Sequence, residues 1–302
     1  MNRSVLIIDD EQTQVSSLTK ALKEKLPDVE FIPTFAEQDI LSAIENKFYS
    51  LAIVDLRMDK YSFDGVSLIK KIIEINPFSK IIVTSAFTQE YINTLKPFML
   101  KGKILNVLEK EKFDVWIPKI VSTINEYYEE IAENCLPLQT ALLQYYADAK
   151  NEIDTYKKGE KFENFVSLLF GNIGYQDIKR RVINKSRNEV DLIVRNEIND
   201  LFLNKLGDYF LIECKNKPNE NIGKNDFIQF HSKLENTNGL ARIGLLFTTG
   251  YLSQTTYTEA IRTSKAGKKI VFFSNAEIER LIKAEDTRKE FKNIIDEQVK
   301  DN

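Results

Sequence analysis

Over its first 113 residues the chain alternates short apolar runs with amphipathic segments. The runs are Ser4–Ile8, 29–32, 51–54, 80–83 and 103–108. Between them lie stretches with 3–4 residue apolar spacing: 13–26 (closed by Pro27), 36–46, 65–75 (closed before Pro77) and 89–95. Runs this short are strands, and strand–helix alternation at this spacing gives a doubly wound sheet of five parallel strands. Such a sheet binds its ligands at the carboxyl ends of the strands. Asp9, Asp10, Asp55, Thr84 and Lys110 all follow apolar runs, so the topology predicts that they gather at one rim. Three acids there repel one another unless a cation sits among them.

That ordered set resembles the receiver domain of two-component response regulators, over residues 1–113. The resemblance implies a flavodoxin-like fold and a phosphoacceptor, Asp55, charged by a histidine kinase or another phosphotransfer donor. It implies Mg²⁺ held by Asp9 or Asp10, Asp55 and the backbone carbonyl of Arg57. Thr84 would bind a phosphoryl oxygen and Lys110 would pair with its charge. Lys110, rather than Lys112, fits the family spacing. Three departures make the relay unconventional. Glu111 replaces the usual proline, Val107 stands where a switching aromatic lies, and the loop from Asp55 to Gly65 is long and lacks Met-Pro.

Residues 114–156 contain no glycine and read as two helices broken near Asn134–Pro137. They are expected to form a helical connector that carries dimerisation; the alternative is that each helix packs on its own domain. Their net charge of −6 contrasts with +4 over residues 157–302. The positive excess therefore lies in the C-terminal half, as polyanion binding requires. Lys179, Arg180, Arg181, Lys185 and Arg187 are the candidate nucleic-acid patch, with a solvated strand face as the competing reading.

In that half Asp191 opens an apolar run, a polar insert follows, and a second run ends in Glu213-Cys214-Lys215. Residues two apart on a strand share a face, so Glu213 and Lys215 point the same way and Cys214 the other. Two carboxylates can hold a hard cation that activates water, and a lysine can stabilise charge developing on a phosphate. The set resembles the PD-(D/E)XK nucleases, most closely the Mrr-like restriction endonucleases, over residues 159–282. The resemblance adds Glu163 after an aromatic on the opening helix, Gln229 on a later helix, and the carbonyl of Cys214 as a metal ligand. It implies an α/β domain with a mixed sheet that uses Mg²⁺ or Mn²⁺. Val190 stands where the family name has proline.

The expected domains are a receiver at 1–113, a connector at 114–156, a nuclease at 157–284 and a charged C-terminal tail at 285–302 that frays as a surface helix. No run approaches the ~20 apolar residues of a membrane span, and two cysteines suggest a reducing cytoplasm rather than a disulfide framework. The lone His231 has no ligating neighbours in sequence and reads as a packed residue. The pairing of domains suits a phosphorylation-controlled, metal-dependent endodeoxyribonuclease acting as a homodimer in bacterial defence against foreign DNA. Two other readings stay open: a non-cleaving DNA-binding regulator, and a nuclease for single-stranded DNA or RNA.

Overall fold

The structure is a computed structural model that describes residues 3–133, 136–183, 189–237, 240–263 and 268–300. The chain divides into two compact units, Met1–Pro137 and Leu138–Asn302.

The first unit runs β1 (Ser4–Ile8), α1 (Gln12–Lys25), β2 (Glu30–Thr34), α2 (Glu37–Asn46), β3 (Leu51–Asp55), α3 (Gly65–Ile75), β4 (Lys80–Ser85), α4 (Ile92–Leu100), β5 (Ile104–Glu109) and α5 (Phe113–Glu133). All strand pairs are parallel, in the order β2-β1-β3-β4-β5. Alternate side chains of each strand enter opposite layers. Val5, Ile7 and Ile53 pack with Leu18, Leu22, Trp116 and Ile120. Leu6, Ile8 and Val54 pack with Ile40, Ile44, Ile69 and Leu95. Both faces are therefore covered, which is why the strands read as unbroken apolar runs.

Helix α5 is part of this core. The Tyr128 hydroxyl donates to the Ser4 carbonyl (3.1 Å) and that of Tyr127 to the Ser50 carbonyl (3.0 Å). The stretch 114–156 is thus shared between the units, since the next helix packs in the second.

The second unit runs α6 (Leu136–Asn151), α7 (Thr155–Ile173), β6 (Ile178–Ile183), β7 (Glu189–Arg195), β8 (Tyr209–Lys215), β9 (Asn221–Ile222), α8 (Lys224–Glu235), β10 (Ile243–Thr248), β11 (Tyr251–Leu252), α9 (Gln254–Thr263), β12 (Lys269–Phe273), α10 (Asn275–Lys283) and α11 (Thr287–Lys300). Its main sheet has the order β12-β10-β8-β7-β6. β6–β7 and β7–β8 are antiparallel, whereas β8–β10 and β10–β12 are parallel. Tyr146 of α6 packs its ring on Phe165 of α7 (centroids 5.0 Å apart) and donates to Asn275 (3.0 Å).

The expected charged tail is instead a core helix. Phe291 of α11 is fully buried, with its ring 5.6 Å from those of Phe170 and Phe273. Ile294 and Ile295 are buried with it. A helix needs only a narrow apolar stripe to dock, and the charges of α11 occupy the remaining faces. The side-chain amide of Gln298 then pairs with both backbone groups of Phe272, covering the outer edge of β12.

Candidate functional site

In the first unit, Asp9 and Asp10 leave β1, Asp55 ends β3 and Lys110 follows β5. Parallel register brings Thr84 beside Asp55. Lys110 Nζ donates to Asp9 Oδ2 and Asp55 Oδ2, both at 2.7 Å. Donor atoms of Asp9, Asp10 and Asp55 lie within 4.8 Å of one another, and no other trio among the described residues does so. Burial pushes the Asp55 carboxyl up to about 6, against the opposing charge of Lys110. Asp55 Oδ1 is buried with no hydrogen-bond partner. A hard cation prefers carboxylate oxygens, so this orphaned atom in an acidic trio fits Mg²⁺. Thr84 is buried and donates to the Val54 carbonyl (3.4 Å).

The long loop after Asp55 folds back on this rim. The Lys60 N–H donates to Asp10 Oδ2 (3.1 Å), and its Nζ donates to the Asp10 carbonyl (3.1 Å) and pairs with Glu11 (2.7 Å). The Arg57 side chain pairs with Asp59 (2.8 Å). The loop closes at Gly65, where a Cβ would stand 2.1 Å from the Asp55 carbonyl oxygen. Asp64 then caps α3 by accepting the Ser67 N–H (2.8 Å).

In the second unit, continuing the β7–β8 register one step beyond Leu192↔Ile212 sets Asp191 opposite Glu213. Asp191 Oδ2 accepts the Cys214 N–H at 2.6 Å. Burial, and next the charge of Glu213, push Asp191 up to about 7. Glu213, only 4 % exposed, accepts from Lys215 Nζ (2.8 Å). Burial pulls the Lys215 ammonium down, yet Glu213 and Asp191 outweigh it and the net shift is upward. Lys215 is therefore a charged donor rather than a base. Burial pushes the Cys214 thiol well up, so it is no nucleophile.

Glu163 lies on α7, which Asp154 caps by accepting the Lys157 N–H (2.9 Å) and Gly174 ends at φ 118°. Burial raises the Glu163 carboxyl, and Arg181 opposes this by donating Nε to its Oε2 (3.0 Å). The charges of Glu213 and Glu163 both act on Asp191, but the three acids are not gathered within 4.8 Å as the first trio is. Two carboxylates with raised proton affinity beside a third are a donor set that suits a hard divalent cation.

Gln229 does not join them. It is exposed on α8 and makes no hydrogen bond to the acids. One turn later Lys233 takes that place, donating to Glu213 Oε1 (3.2 Å) and Oε2 (2.9 Å). Sequence reasoning missed Lys233. Its i+4 spacing from Gln229 puts both near one helix face, but that spacing does not say which of them the docked helix turns to the acids. His231 packs against Phe227 (centroids 5.9 Å apart), away from any ligand cluster.

The basic patch differs from expectation. Lys179 is exposed, but Arg180 donates to Asn164 and Arg181 to Glu163, both on α7. Successive strand residues should face opposite ways. They do not here because Arg181 has φ 50°, the left-handed region, which costs a non-glycine residue about 1–2 kcal/mol. The β6–β7 ladder pairs residues on both sides of Arg181 and skips it. Lys185 and Arg187 lie outside the described residues.

Residues 5–117 match the family model for the response regulator receiver domain, and residues 156–282 match that of the restriction endonuclease Mrr catalytic domain. Similar solved structures include a response regulator receiver domain protein from Methanospirillum hungatei JF-1. It is 21% identical, covers 44% of this chain and 98% of its own, and has a TM-score of 0.37. A Francisella response regulator receiver domain is 23% identical, covering 43% and 98%, with a TM-score of 0.35. The Thermotoga maritima response regulator TrrA, in complex with Mg²⁺-BeF, is 20% identical, covering 41% and 99%, with a TM-score of 0.34. No curated protein matches the chain.

Proposed function

We propose that this chain, a response regulator receiver domain fused to an Mrr-like restriction endonuclease domain, is a metal-dependent endodeoxyribonuclease governed by phosphorylation of Asp55. The observation that carries the nuclease reading is the pair Asp191 and Glu213 on adjacent strands, with Lys215 on Glu213 and the Cys214 N–H on Asp191.

Asp191, Glu213, the Cys214 carbonyl and Glu163 would hold Mg²⁺ or Mn²⁺. When bound, such a cation lowers the pKa of a water and neutralises charge on the phosphate. Lys215, kept protonated, donates to the phosphoryl oxygens as negative charge builds there. Hydrolysis joins the water oxygen to phosphorus and breaks the bond to one sugar oxygen, which leaves with a proton. Lys179 and the two arginines beside it supply positive charge next to the site. No helix among the described residues is long and apolar enough to cross a membrane.

In the receiver, Asp55 would accept the phosphoryl group from a kinase or phosphotransfer donor. Thr84 and Lys110 would bind it, with Mg²⁺ held by Asp9, Asp10, Asp55 and the Arg57 carbonyl. A phosphoryl group adds roughly −1.5 to −2 charge, enough to shift the packing of neighbouring helices. Homodimers would place two sites on the two strands of a duplex.

One observation favours a non-cleaving regulator instead: Glu213 and Glu163 are already paired with internal cations. The deciding assay incubates wild type, Asp191→Ala and Lys215→Ala with labelled duplex DNA, single-stranded DNA and RNA, with and without Mg²⁺. Cleavage by wild type alone, requiring Mg²⁺, supports the enzyme, and the preferred substrate selects its class. Binding by all three without cleavage selects the regulator.

A further inference from the structure

The three acids of this site, Asp191, Glu163 and Glu213, lie beside three internal cations. Lys215 and Lys233 both donate to Glu213, and Arg181 donates to Glu163. Asp191, Glu163 and Glu213 with these three cations form a site that is close to neutral when all are ionised. A divalent cation entering alone would add two positive charges to a largely buried place already holding three, which is unfavourable. Either an anion enters with it or one resident cation leaves.

Arg181 is the cation placed to leave. Its backbone is strained at φ 50°, and the β6–β7 ladder skips it, so no strand pairing at that residue holds it. Its register position is opposite Asp191, next to the reacting acids. Its guanidinium reaches outward too, lying 5.1 Å from the ring centroid of the exposed Tyr156 and donating Nη1 to its hydroxyl (2.7 Å). A guanidinium exchanges carboxylate for phosphate readily, because the two present matching pairs of oxygens. Among the described residues, Lys215 and Lys233 share one buried carboxylate and have no outward partner comparable to Tyr156.

We infer that Arg181 is a positioning residue that trades Glu163 for a backbone phosphate of the nucleic acid, freeing Glu163 for the cation, so that metal and substrate bind cooperatively. This rests on the nuclease reading above. The strained residue marks the exchange point, since backbone strain persists where function requires a special geometry. By linkage, substrate must raise metal affinity by the same factor as metal raises substrate affinity.

The test is calorimetric titration of the full chain with Ca²⁺, which shares the oxygen preference of Mg²⁺. Asp9→Asn and Asp10→Asn silence the receiver site, and titrations are run with and without a short duplex. In this background the duplex should tighten Ca²⁺ binding by a factor in the usual coupling range of about 5–150. Arg181→Gly, whose backbone suits φ 50° and so keeps the fold, should bind Ca²⁺ tighter than its parent without duplex and lose most of the duplex effect. Arg181→Lys, which keeps charge without the fork, should fall between. Equal Ca²⁺ affinity and equal coupling in parent and Arg181→Gly would overturn the exchange while leaving the site reading intact. A parent that binds no Ca²⁺ even with duplex would overturn both.

Discussion

Lys233 Nζ donates to both carboxylate oxygens of Glu213, at 3.2 and 2.9 Å. It anchors that carboxylate from α8 while Lys215 approaches it along β8. Outer partners of this kind fix the orientation of a ligating group, and their loss typically costs 10–100-fold. Lys233→Met should therefore lower single-turnover cleavage by about 10–100-fold. Lys215→Met, removing a donor to the phosphate itself, should cost about 10²–10³-fold. Cleavage rates of the two variants measured side by side check the order; equal losses would give both lysines the same task.

Asp191 should make stability depend on pH. Burial raises its carboxyl from 3.8 to about 7, so the folded state holds the proton more tightly than the unfolded chain. The associated stability is full below pH ~4 and is lost as pH rises through about 7. Asp191→Asn keeps an acceptor for the Cys214 N–H but has no charge to bury. In metal-free buffer its melting temperature, relative to wild type, should climb between pH 4 and 7 and then level off. Thermal melts across that range measure it, and a flat difference would mean that Asp191 is not buried beside Glu213 as an acid.

Asp55 should take a phosphoryl group despite Glu111 and Val107. Its Oδ2 already bonds Lys110 Nζ at 2.7 Å, and its carboxylate ends β3 beside Asp9 and Asp10, whose donor atoms lie within 4.8 Å of its own. Incubation with acetyl phosphate and Mg²⁺ should add one phosphoryl mass to wild type and none to Asp55→Asn. Lys110→Ala should retain less of the adduct at a given time, because the amine that pairs with the new charge is gone. Intact-protein mass spectrometry reads all three.

The rim of the first unit was legible because parallel strands force their carboxyl ends together, so residue order alone predicts the convergence of Asp9, Asp55 and Lys110. The C-terminal pair was legible for a related reason: a hairpin of β7 and β8 leaves Asp191 and Glu213 few places to go. Lys233 and Arg181 were not. The first depends on how α8 docks on the sheet, which spacing along the helix does not specify. The second depends on one backbone angle that turns a strand residue to the other face, and no propensity assigns φ 50° to an arginine. In α11 the apolar spacing of Phe291, Ile294 and Ile295 was visible, but the dense charge around it concealed how little apolar surface a docked helix needs.

Gly65 should resist substitution for a steric reason. The long loop returns so close to β3 that a Cβ there would meet the Asp55 carbonyl oxygen at 2.1 Å and the Leu56 Cα at 2.6 Å. Both are backbone atoms, at the end of β3 and one residue beyond it, which cannot give way as a flexible side chain would. Gly65→Ala should destabilise the first unit by about 1–3 kcal/mol, as overpacking does, and should slow phosphorylation by displacing Asp55. Urea unfolding with acetyl phosphate labelling of the same variant checks both effects.

Phe291 separates a core helix from a frayed tail. Its ring is fully buried among Phe170, Tyr175, Phe210 and Phe273, with centroids 5.6–6.4 Å apart. A tail that merely rested on the surface would tolerate truncation with a loss of a few tenths of a kcal/mol. A buried ring does not: Phe291→Ala should cost about 3–5 kcal/mol, confined to the second unit. Tyr175 precedes β6 and Phe210 lies within β8, their rings 5.7 Å apart, so the loss should propagate to the strand that carries Glu213 and Lys215. Hydrogen exchange resolves the two units separately. Amides of β8 should lose protection in Phe291→Ala while those of β1 and β3 keep it. Unchanged β8 protection would return residues 285–302 to the surface.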